Sequence, residues 1–120
     1  MNQVTPMFKT GKRVDDPKYR QFVRQLPCVI CDGWGFKQTS RTECHHTISR
    51  RGSMGKTSCN LSIPLCECHH TGLRFDRDKT KIAIHQDKAL WEDHYGPDTG
   101  FIAATQDAIE RQFGYVAGKD

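Results

Sequence analysis

The feature that most constrains this chain is a set of metal-ligand side chains at short, repeated spacings. Cys28-Val-Ile-Cys31 supplies two sulfurs, and Cys66-Glu-Cys-His69-His70 adds two sulfurs and two imidazoles. Between them stand Glu43-Cys-His-His46 and Asn60. Zinc takes four nitrogen or sulfur donors in a tetrahedron, commonly as two close pairs that the fold brings together. The spacing therefore predicts a closed structural Zn²⁺ site of Cys28, Cys31, Cys66 and His69. Cys68 could replace His69, although Cys-x-Cys is a tighter bite. Cys44 and Cys59 are left over, and a single such cysteine behaves as a small hydrophobe.

Composition sharpens this expectation. A chain of 120 residues holds one domain, and one this small buries too little surface for a robust core. An ion whose binding energy adds to folding energy would compensate. The six cysteines would also suit a disulfide framework. The first ten residues carry no apolar run of the kind a signal peptide has, and no stretch is long enough to span a membrane. The expected setting is a reducing cytoplasm, where mixed cysteine and histidine favour metal. The net charge of +4 and pI near 8.8 suit a polyanionic partner without demanding one.

Along the chain, residues 1–14 read as a flexible basic arm, 15–116 as a single domain and 117–120 as a flexible end. Asp16 can cap a helix with Pro17 in its first turn, and Tyr19, Phe22, Val23 and Leu26 recur at helical spacing. Cys28-x-x-Cys31 followed by glycine reads as a zinc knuckle, with Trp34 and Phe36 packed on it. Residues 41–48 and 61–65 read as strands, the second an edge because of Pro64. Residues 49–58 form the loop between them. A helix of a turn or two is expected from Cys66 to before Gly72, then a charged, exposed excursion from 73 to 81. Two helices close the chain. One runs over 88–95, with Leu90, Trp91 and His94 on a related face and His94 as a packing or hydrogen-bonding residue. The other runs over 101–113, with Thr99 as its cap.

His45-His46, Asn60-Leu61 and Leu65-Cys66-Glu-Cys-His69-His70 resemble the motif of the His-Asn-His (HNH) nucleases. The resemblance covers about residues 27–97, and motif order, spacing and flanking zinc pairs all agree. The nearest relatives by this likeness are small phage-encoded proteins, including recombination-associated nucleases. The implied fold is α+β, a zinc-stapled beta-beta-alpha-metal core with flanking helices. The resemblance puts a ligand of a catalytic divalent ion on His45, the general base on His46, the loop-orienting asparagine on Asn60 and a further ligand on His70. In colicin-type members a third ligand follows one helical turn later, where this chain has Leu73 and Arg74. Some phage relatives carry a later histidine instead, and His85 matches that arrangement.

These residue types suit phosphodiester hydrolysis. His46 can accept a proton near neutral pH. A divalent ion on His45, His70 and His85 (Mg²⁺, Mn²⁺, Ni²⁺ or Zn²⁺) can neutralise transition-state charge. Arg50, Arg51 and Lys56 stand in the loop where flanking phosphates would be gripped. The expected partner is DNA, and the resemblance allows a recombinase filament as a second. The expected location is the cytoplasm, that of the host cell for a phage-encoded protein. A rival reading keeps the zinc and the basic charge but not the chemistry: a non-catalytic, zinc-stabilised nucleic-acid-binding module.

Overall fold

The computed structural model describes residues 15–49, 58–72 and 81–116. The expected arm at 1–14, the end at 117–120, and Arg50, Arg51 and Lys56 lie outside the described residues, as does most of the expected excursion.

The architecture is a small α+β fold: a two-stranded sheet with helices around it. Helix α1 (Pro17–Arg24) starts where Asp16 accepts from the Tyr19 N–H at 3.0 Å, so a side-chain carboxylate satisfies one orphan donor of the first turn. Helix α2 (Val29–Trp34) is the knuckle itself. Cys28 is its N-cap, and the chain turns back as a short helix ending at Gly35 (φ +77°), a left-handed position that favours glycine. Strands β1 (Thr42–His46) and β2 (Ser62–Cys66) pair antiparallel, with His45 opposite Ile63 and Cys44 opposite Pro64. Helices α3 (Lys88–Tyr95) and α4 (Ile102–Phe113) follow.

Three local expectations change. The helix expected after Cys66 is a run of hydrogen-bonded turns: His70 N–H donates to Cys66 O at 3.0 Å and Gly72 N–H to Glu67 O at 2.7 Å. Gly72 at φ +85° then redirects the chain. Helix α3 buries Trp91 and Tyr95, while Leu90 and His94 are exposed. Thr99 does not cap α4, because Pro97 leads into a 3₁₀ turn over Asp98–Phe101 that runs straight into that helix.

Two apolar clusters hold these elements. One gathers Ile30, Ile63, Leu65, Ile84, Trp91 and Tyr95 around Cys28, Cys31, Cys66 and Cys68. The other joins α1 to α4 through Tyr19, Val23, Leu26 and Ile109, with Phe22 stacked on Phe113 at 4.5 Å. Trp34 is half exposed, its edge against Tyr95, whereas Phe36 packs on the His69 ring. No helix among the described residues is long and apolar enough to cross a membrane.

Candidate metal centres

Cys28 and Cys31 from α2 meet Cys66 at the end of β2 and His69 in the turn beyond it. All four are buried. His69 Nδ1 lies 3.7, 3.6 and 3.4 Å from the sulfurs of Cys28, Cys31 and Cys66, and the last two sulfurs are 3.8 Å apart. A tetrahedral zinc with ordinary bond lengths needs sulfur–sulfur edges of about 3.8 Å and sulfur–nitrogen edges of about 3.6 Å. The donor set fits that ion. Cys68 points elsewhere, to the hydroxyls of Ser40 at 3.6 Å and Thr39 at 3.8 Å. All six cysteines are free thiols.

Electrostatics agrees with the geometry. Burial pushes the Cys31 thiol up to about 11, and its contact with Cys28 followed by burial does the same to Cys66. The hydrogen bond from Cys66 holds Cys28 below its ordinary value. Three crowded thiols do not all ionise without a cation, and a dication at their centre supplies one. The Lys81 ammonium donates to Lys37 O and Thr39 Oγ1 beside this cluster, and its charge favours the Cys31 thiolate.

A second group forms from imidazoles. The ring centres of His45 and His70 are 4.9 Å apart, those of His70 and His85 4.9 Å, and those of His45 and His85 5.4 Å. One nitrogen from each lies within 4.8 Å of the others. Backbone pairing places them: Ile84 N–H donates to His69 O and His85 N–H to His70 O, each at 3.0 Å. Here His45 is buried, His70 half-buried and His85 exposed.

Each of the first two imidazoles is held by a carboxylate. His45 Nε2 lies 2.8 Å from Asp98 Oδ2, and His70 Nδ1 lies 2.8 Å from Glu43 Oε1. Burial alone would raise the Asp98 carboxyl, but bonds from His45, the Ile48 N–H and Ser49 bring it down to about 2. Burial lowers His70 despite Glu43, which favours the neutral imidazole a metal requires.

The other predicted residues are placed differently. Strand alternation puts His46 on the opposite face of β1 from His45, and its Nε2 is buried. Asn60 sits in a 3₁₀ turn, where its carbonyl accepts from Gln106 Nε2 at 2.7 Å. Its side-chain amide has no hydrogen-bond partner among the described residues. A cleft of about 420 Å³ opens beside His70, lined by Arg24, Arg41, Thr42, Glu43, Cys44 and Thr71. Asp98 and both of these arginines have no site role in the sequence expectations, and Glu43 stands there only as part of its motif, without one. Glu43 had a signal: two residues before His45, it shares that face of β1. Asp98 had none.

The fold and the buried cluster define a small α+β protein whose Cys₃His set can hold a structural metal such as zinc. The chain belongs to the family described as a protein of unknown function (DUF968), whose model matches residues 7–111. No curated protein and no solved structure gives a significant match.

Proposed function

We propose that this chain is a metal-dependent endonuclease of the HNH type that hydrolyses DNA phosphodiester bonds. The observation that carries the reading is the convergence of His45, His70 and His85 beside an antiparallel strand pair, with a separate sulfur-rich cluster next to it. Three donors leave coordination positions for substrate oxygens and water, unlike a closed set of four. A divalent ion bound there would supply Lewis-acid neutralisation at the scissile phosphate and the leaving oxygen. Glu43 orients the His70 ring. The resemblance gives His46 the role of accepting the proton of the attacking water, which requires its half-buried ring to turn from the place it holds on the opposite face of β1. Arg24 and Arg41, lining the cleft beside His70, pair with flanking phosphates, in addition to Arg50, Arg51 and Lys56. A phage recombination role, with a recombinase filament as partner, belongs to the same proposal.

One observation favours a second reading. Strand alternation turns His46 from the face of β1 that carries His45, and its Nε2 is buried. A domain whose His46 stays on that face would bind nucleic acid without cutting it. Nicking of supercoiled plasmid with Mg²⁺, Mn²⁺ or Ni²⁺ separates the two. The nuclease reading expects His46→Ala to cut at least ~10²-fold more slowly, with its thermal transition and DNA affinity retained. Unchanged nicking would remove His46 as the base. A protein that binds DNA but is inert with every ion is the binding module.

A further inference from the structure

Asp98 belongs to no motif and lies 53 residues beyond His45, yet it is fully buried. Its carboxylate receives three donors: His45 Nε2 at 2.8 Å, Ile48 N–H at 2.7 Å and Ser49 N–H at 3.0 Å. Its own N–H donates to Ser49 Oγ at 2.9 Å, and that hydroxyl donates to Glu92 at 2.6 Å. Burying a carboxylate without partners is costly, and this one is surrounded by them. An ionised carboxylate can only accept, so the proton between it and His45 belongs to Nε2.

We propose that Asp98 is a positioning residue for an ion at His45, His70 and His85: it fixes the Nε2–H tautomer of His45, so that this ring ligates through Nδ1. The inference rests on reading the three imidazoles as an ion site. The same carboxylate anchors Ile48 and Ser49, and so holds the chain just beyond β1 that carries the ring. The site is then completed by the start of the C-terminal helical segment, outside the strand pair and the turn that supply His45 and His70. Carboxylates behind metal-bound imidazoles act in this way, and removing one costs about 10–100-fold in metal affinity.

The test uses the full chain with zinc in its sulfur cluster. Co²⁺ binds such sites less tightly than Zn²⁺, so added Co²⁺ reports on the imidazoles through its visible absorption. Asp98→Asn keeps the shape and one carbonyl acceptor, but its amide turned toward Nε2 reverses the tautomer. It is expected to lower Co²⁺ affinity about 10–100-fold, with zinc content and thermal transition kept. Ser49→Ala removes the hydroxyl's contacts with Asp98 and Glu92 and leaves the Ser49 N–H and His45 bonds to the carboxylate; it is expected to bind Co²⁺ like the parent. Equal Co²⁺ affinity of Asp98→Asn and parent overturns the inference, as does equal weakening by both variants. A parent that takes up no second ion overturns the ion-site reading itself, a separate result. If Asp98→Asn does not fold, long-range proton–nitrogen NMR of the parent reads the tautomer: a proton on His45 Nε2 supports the inference, and one on Nδ1 overturns it.

Discussion

His69 and His70 are neighbours in the chain and serve different clusters. His69 turns its Nδ1 into a cage of three sulfurs, where all four donors are buried. His70 turns toward Glu43 and two other imidazoles, one of them exposed. The first set satisfies a tetrahedral ion by itself; the second does not. The backbone between them links the two. The carbonyl of His69 accepts from Ile84 N–H and from the buried Trp91 indole, and the carbonyl of His70 accepts from His85 N–H. A turn pinned by the sulfur cluster therefore places two of the three imidazoles. The comparison teaches that a small core can afford an open, polar site when a closed one beside it holds the backbone.

The largest effect that would test this contrast comes from exchanging one donor on each side. Cys66→Ser is expected to abolish the cooperative thermal transition in circular dichroism and to lower zinc content, because structural zinc contributes on the order of 10 kcal/mol to folding in small domains. His70→Ala is expected to keep that transition and to lose metal-dependent nicking. Equal loss of folding in the two variants would break the contrast.

A smaller effect sharpens it. Gly72 closes the turn that carries both histidines, at φ +85°, and an added Cβ would fall 2.1 Å from Gln86 Nε2. Gln86 donates from that nitrogen to Thr71 O. Gly72→Ala is expected to cost about 1–3 kcal/mol in urea unfolding and to loosen the imidazole site more than the sulfur site. The smallest effect belongs to the cleft. Arg24 is exposed and has no ion pair among the described residues. Arg24→Ala is expected to weaken DNA binding across sequences and to lower the slope of log affinity against log salt by about 1.

Much of this arrangement was legible in the sequence, and the limits have physical causes. Cys28-x-x-Cys31 and Cys66-x-x-His69 are local pairs with one common use, so the buried cluster followed from spacing. Helix α1 was legible from Asp16, Pro17 and its apolar stripe, and α3 from its closing Gly96-Pro97. The face of α3 was misjudged because Leu90 and Trp91 are both apolar, and only packing against the Cys28–Ile84 cluster decides which is buried. The post-Cys66 helix was overestimated: the turn must aim His69 and His70 in different directions, and Gly72 ends it at once. Asp98 was illegible for a different reason. Its partners lie some fifty residues upstream, and an Asp after Pro97 reads equally well as a solvated turn residue. The juxtaposition of His85 with His70 was reached through family likeness alone, since residues 73–80 separate the two without a periodic pattern.

The account stands most directly on where ions sit. Crystals of zinc-purified protein soaked in Mn²⁺, measured for anomalous scattering at the zinc and manganese edges, answer this. The account predicts zinc enclosed by Cys28, Cys31, Cys66 and His69 Nδ1, and manganese among His45, His70 and His85 with solvent at its remaining positions. A single ion per chain, or a second one sealed on every side by protein donors, would contradict it.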